Sequence, residues 1–165
     1  MEVYGVHDFD PVSIFECGQC FRWQRQRDGT YAGVAGGRWA KLSFSDGVLR
    51  IYGASRRDFQ DFWYTYFDLG RDYGELKKRL GGIDPFLDAA LEYGAGIRIL
   101  NQDLFETFIS FILSSNNNIP RIRNCVEQTA ACCGSLLPNG QYGFPEARQL
   151  AAVGEEKLKR DVRAG

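Results

Sequence analysis

The side chains best equipped for chemistry in this chain lie in Ser114-Ser115-Asn116-Asn117-Asn118-Ile119-Pro120-Arg121. An amide offers a donor and an acceptor in one plane, and a guanidinium offers a rigid fork of donors. A cluster of them can therefore read planar polar edges, of which nucleotide bases are the largest class. A plainer role competes: asparagine mimics a backbone turn and tolerates the left-handed region, which accounts for one or two of the three amides. Gly18, within Cys17-Gly18-Gln19-Cys20-Phe21-Arg22-Trp23, reads by itself as a glycine closing the turn after Asp10–Cys17. Lys157 and Lys159 are amines on a charged helical segment with no pocket signature. The five cysteines are Cys17, Cys20, Cys125, Cys132 and Cys133, and His7 is the only histidine. That set lacks the spaced ligands of a zinc site, so no metal and no cofactor are expected, and the thiols are expected to be buried and reduced.

The amide run sits where one apolar period stops and another starts. Upstream, Asp103 and Glu106 have capping-box spacing, and Phe105, Phe108, Ile109 and Ile112 recur at helical intervals. Downstream, Ile119, Ile122 and Val126 do the same, with Pro120 in a first turn where its missing N–H costs nothing. Asn116–Asn118 is thus a tight helix–helix connection, Asn118 a candidate cap, and Arg121 leaves the second helix away from its apolar stripe.

The first third reads as an antiparallel meander. Asp28-Gly29, Gly36-Gly37 and Asp46-Gly47 are hairpin signals between strands near Phe21–Trp23, Tyr31–Ala35, Arg38–Phe44 and Val48–Tyr52. Val3–Val6 is a further candidate strand, and Asp10 caps a short helical turn that runs towards Gly18. Phe59, Phe62, Trp63, Tyr66 and Phe67 then fall on one helical stripe, which predicts burial against the sheet. Further helices are expected at 72–80, 84–93, 103–114, 119–132, 146–153 and 155–163. The seam near 94–101 divides the chain into 1–97 and 98–165.

A formal net charge of −1 gives no general attraction to nucleic acid. Local basic clusters at Arg22-Arg25-Arg27, Arg56-Arg57, Lys77-Lys78-Arg79 and Lys157-Lys159-Arg160-Arg163 each have acids nearby, so a solvated face is expected for each. No apolar run is long enough to span a bilayer and no signal sequence opens the chain, which points to the cytoplasm and away from membranes.

Two segments together resemble one family. Gly18-Gln19-Cys20-Phe21-Arg22-Trp23 resembles the GQ-x-FRW segment of the 8-oxoguanine DNA glycosylase/AP lyases, and Arg98–Asp103 with Ser114–Ile122 resembles the stretch entering their helical domain. Tyr66-Phe67-Asp68-Leu69 and Tyr142-Gly143-Phe144-Pro145 fit the same alignment. The resemblance implies an α+β fold: a TBP-like twisted antiparallel sheet with helices, followed by the first helices of an all-α helix-hairpin-helix glycosylase domain. It implies that Asn116 is the wedge filling the hole left by a flipped base, that Arg121 reads the orphaned cytosine, and that Asn117 and Asn118 support the loop. It makes the Gly18 carbonyl the group that accepts a hydrogen bond from N7–H of 8-oxoguanine, where guanine has a lone pair. The implied partner is duplex DNA carrying 8-oxoguanine opposite cytosine.

The family's nucleophilic lysine and its partner aspartate align beyond residue 165. The 165 residues are therefore expected to be catalytically inactive and to bind DNA weakly, with an unfinished helical domain. Two alternatives stand beside this: a non-catalytic DNA- or partner-binding module, and a fragment of an alkylated-base DNA glycosylase.

Overall fold

The computed structural model describes residues 1–162. Five strands form one antiparallel sheet: β1 (Glu2–Val3), β2 (Trp23–Arg25), β3 (Tyr31–Ala35), β4 (Arg38–Ser45) and β5 (Val48–Tyr52), in the order β1-β5-β4-β3-β2. The hairpins follow from turn chemistry. Gly36 and Gly37 both have positive φ (53° and 68°), as do Asp46 and Gly47 (52° and 74°), the geometry that matches the right-handed twist of the flanking strands. The Asp28 carboxylate accepts from the Thr30 amide at 3.1 Å in the first turn. Strand pairing at the N-terminus stops at Val3, short of the expected Val6. Gly5 turns away with φ 69°, and the Val6 amide bonds the Gly47 carbonyl at 3.0 Å.

One face of the sheet is covered by aromatic rings. Phe15 ends the short helix α1 (Pro11–Phe15), capped by Asp10, and stacks on Trp23 with ring centroids 4.6 Å apart. The expected stripe is helical but not α-helical throughout. Between α2 (Arg56–Asp58) and α3 (Tyr64–Tyr66) lies a π-helical turn, Phe59–Trp63, in which the Tyr64 amide donates to the Phe59 carbonyl. One extra residue rotates the following side chains by about 100° relative to an unbroken α-helix. Trp63, Tyr66 and Phe67 are buried, while Phe59 and Phe62 pack at the rim. The Tyr66 hydroxyl accepts from the Trp23 indole at 2.9 Å, so the one polar handle of each ring is satisfied inside the core.

The remaining described helices are α4 (Tyr73–Leu80), α5 (Pro85–Tyr93), α6 (Leu104–Ser114), α7 (Ile119–Cys133), α8 (Ala147–Val153) and α9 (Glu155–Val162). Asp72, Asp84, Asp103 and Asn118 cap four of them through their side chains. Arg163, expected in the last helix, lies outside the described residues. Among the described residues no helix is long and apolar enough to cross a membrane. All five thiols are unpaired with one another; Cys20 and Cys125 are buried, Cys132 and Cys133 half-buried, but Cys17 is exposed, contrary to the expectation for it.

The irregular stretch between α5 and α6 is fastened to the sheet layer. The buried Arg98 guanidinium donates to the carbonyls of His7 (2.7 Å), Asp8 (2.9 Å) and Asp68 (2.6 Å), and lies over the Tyr73 ring. The Asn101 amide donates to the Tyr66 carbonyl at 2.9 Å, and Leu100 enters the core. Arg98→Leu removes the donors from these carbonyls together, and a loss of about 3 kcal/mol in unfolding free energy is expected in a urea titration.

Candidate nucleic-acid interface

α6 stops because the chain leaves the helical region at Ser115 and turns left-handed at Asn116, with φ 55°. Asparagine is among the few residues besides glycine that occupy this region at modest cost. The next two amides build the corner. Asn117 is half-buried and its Nδ2 donates to the Leu113 carbonyl at 2.8 Å, satisfying an orphan acceptor at the end of α6. Asn118 caps α7, accepting from the Arg121 amide at 3.0 Å. The three amides thus divide the labour: Asn117 and Asn118 hold the turn, and Asn116 is exposed at its apex. Arg121 is exposed on the first turn of α7, in the same short corner.

Gly18 lies in the exposed loop between α1 and β2, three residues beyond the end of α1. Its φ is 88°, and a Cβ added there would meet nothing within 4 Å, so the demand for glycine comes from the backbone and not from crowding. Gly18 lines a recess of about 160 Å³ with Phe21, Glu106, Ser110, Phe111 and Ser114. Ser114 is the last residue of α6, two before Asn116, so one face of α6 runs from the Gly18 recess to the amide corner.

The charges behind this face were not legible beforehand. Arg22 was expected on a solvated face, yet it is 4% exposed. Its Nε and Nη2 donate to the two carboxylate oxygens of Glu127 on α7 at 3.0 and 3.2 Å, and Nη2 also donates to the Tyr142 carbonyl at 2.6 Å. Nearby, burial pushes the Glu106 carboxyl up to about 7; Arg22 opposes the rise, and Asp103 and Glu127 add to it. Asp103 does cap α6, accepting from the Glu106 amide at 2.8 Å, but the Glu106 side chain is half-buried and lines the recess. Sequence spacing showed the cap and gave no sign of the burial. Lys159 pairs with Glu155 at 2.6 Å and is largely exposed. Among the described residues no group of three or more His, Cys, Asp or Glu could hold a metal ion.

Residues 3–108, more than half of the chain, match the family model described as 8-oxoguanine DNA glycosylase, N-terminal domain. Among solved structures, MBOgg1 in complex with a low-affinity DNA ligand superposes with a TM-score of 0.94 at 42% identity, over 99% of this chain and 57% of that one. The Clostridium acetobutylicum 8-oxoguanine glycosylase/lyase, in complex with double-stranded DNA containing cytosine opposite 8-oxoG, gives 0.93 at 40% identity over 99% of this chain and 57% of that one. The Arabidopsis thaliana N-glycosylase/DNA lyase OGG1 is 26% identical over 158 residues, 88% of this chain and 42% of the relative. The chain therefore spans about half the length of the relatives it matches.

The raised carboxyl gives a signed pH dependence. Glu106 holds its proton up to about pH 7 when folded, but releases it near 4.5 when unfolded. The unfolded state then binds fewer protons between these values, so stability falls as pH rises through that window and levels off above it. Glu106→Gln stays neutral throughout. Urea midpoints are expected to show the variant more stable than the parent above pH 7, with the gap closing below about pH 4.5.

Proposed function

The chain belongs to the 8-oxoguanine DNA glycosylase family, and from that premise we propose that the protein it comes from excises 8-oxoguanine paired with cytosine and then cleaves the backbone by β-elimination. The lesion is extruded from the duplex at a cost of a few kcal/mol of unstacking. Asn116 fills the vacancy and meets the cytosine edge with a donor and an acceptor, which an apolar plug has no means to do. Arg121 donates its fork to the ring nitrogen and carbonyl oxygen of that cytosine; adenine presents no equivalent pair. The Gly18 carbonyl accepts from N7–H of the lesion and repels the N7 lone pair of guanine. Asn117 and Asn118 keep the corner in shape, and the sheet-bearing and helical units divide at 97/98.

The observation that carries this reading is the left-handed, exposed Asn116 five residues ahead of Arg121, at the end of the same α6 face that meets Gly18. The 165 residues themselves supply recognition and not the nucleophile: Lys159 is paired and solvated on α9. Borohydride trapping on an 8-oxoguanine·C duplex is expected to give a covalent adduct with the full-length protein and none with residues 1–165. An adduct at any lysine within these residues would overturn the assignment of the nucleophile elsewhere.

In the full-length protein, Arg121→Ala is expected to lower the preference for 8-oxoguanine opposite cytosine over adenine by about tenfold, since a good bidentate pair contributes about 1–3 kcal/mol of discrimination. Single-turnover excision from the two duplexes reads this ratio directly.

A further inference from the structure

The loop Glu16-Cys17-Gly18 is exposed, and Gly18 has no side chain with which to hold its own carbonyl in place. Lesion discrimination by that carbonyl nevertheless demands a fixed position: it must attract N7–H in one base and repel a lone pair in another. The residue that follows is held much more firmly. Gln19 Nε2 donates to the carbonyls of Ile14 and Arg98, both at 2.9 Å, and its Oε1 accepts from the Leu100 amide at 3.0 Å. The main-chain carbonyl of Gln19 accepts from Gln102 Nε2 at 2.5 Å. Two glutamines thus join the loop to α1 on one side and to the stretch between α5 and α6 on the other.

The geometry points to Gln19, assisted by Gln102, as the positioning residue for the Gly18 carbonyl. That carbonyl belongs to the planar peptide unit linking Gly18 to Gln19, so fixing Gln19 fixes one end of the plane. Glycine at the other end, with φ 88°, contributes freedom and no restraint. With Gln19 released, the plane swings, the lesion loses an aligned acceptor, and guanine no longer meets a fixed one. Discrimination falls while contacts elsewhere on the duplex persist. This rests on the proposed reading of Gly18.

The test compares binding by the full-length protein to two duplexes that resist excision. One carries 2′-fluoro-arabino 8-oxoguanosine opposite cytosine, and the other carries the guanine counterpart. In Gln19→Leu the preference for the lesion is expected to drop about tenfold, with affinity for the guanine duplex changed by less than about twofold, since alignment of one hydrogen bond is lost. Ile51→Val, a core substitution in β5 with no place in the recess, serves as the control for simple destabilisation and keeps the full preference. If Gln19→Leu does not fold, Gln102→Leu removes the bond to the Gln19 carbonyl alone, and a smaller loss in the same direction is expected. A full preference in whichever glutamine variant folds overturns the positioning role. A parent protein without preference for the lesion overturns the reading of Gly18 on which this role stands.

Discussion

The guanidinium of Arg98 ties two separate loops to its own stretch through three carbonyls: His7 and Asp8 ahead of α1, and Asp68 after α3. Around it, Gln19 bonds the Arg98 carbonyl and the Leu100 amide, and Asn101 bonds both Thr65 and Tyr66 carbonyls. The extended stretch that leads into α6 therefore has little choice of path. Extended backbone has no internal hydrogen bonds, so each N–H and C=O needs an outside partner, and here Gln19, Tyr66 and Tyr73 supply several of them. Where this stretch goes decides where α6 begins, and with it the direction of the face that runs from Gly18 to Asn116.

A second tie fixes the far side. Arg22, next to the core residue Trp23, grips Glu127 on α7 and the Tyr142 carbonyl in the loop before α8. Glu127 stands six residues beyond Arg121 on the same helix, so a rigid α7 passes this restraint back to the corner. The pair is almost dry on the arginine side, and a buried charge left without its partner is costly. Removing Glu127 would strand Arg22; such a pair specifies one orientation of α7 against the sheet even where its net contribution to stability is small. The corner and the recess are thus held by opposite ends of one frame.

What the sequence disclosed follows from the range of the forces involved. The Asp-Gly and Gly-Gly turns, the Asp caps and the Asn118 cap depend on neighbours within four residues, and all appear where the spacing placed them. The π-helical turn in the aromatic stripe was hidden, because five rings at i, i+3, i+4, i+7 and i+8 look the same until they meet the sheet. Arg22 looked like one of several surface arginines; its partner is 105 residues away. The Gln19 bonds to Arg98 and Leu100 likewise span 79 and 81 residues. Of the proposed recognition residues, Asn116 and Arg121 stood out by type and spacing with a plain turn as the competing role, and Gly18 only by resemblance, because a glycine in a loop has a dozen ordinary uses.

Charge is the remaining puzzle of a chain proposed to bind DNA with a net charge of −1. The basic clusters do not resolve it, since members of each are spent on internal or local partners: Arg22 on Glu127, Arg57 on Asp61, Lys77 on Asp8, Lys159 on Glu155. The corner offers a different source of positive potential. The first turn of α7 carries no acidic side chain, and the helix dipole leaves partial positive charge there, beside Arg121. This field is short-ranged and falls off within a turn, so it cannot gather DNA from a distance as a basic groove does. In the proposed complex it acts once the duplex is already against the corner. In the proposed reading, a chain of this charge gains little from counterion release, and binding rests on filling the vacancy and reading the bases around it. In that reading the geometry of Asn116, Arg121 and Gly18 carries the affinity, and the bonds that Arg98, Gln19 and Arg22 make behind them hold that geometry.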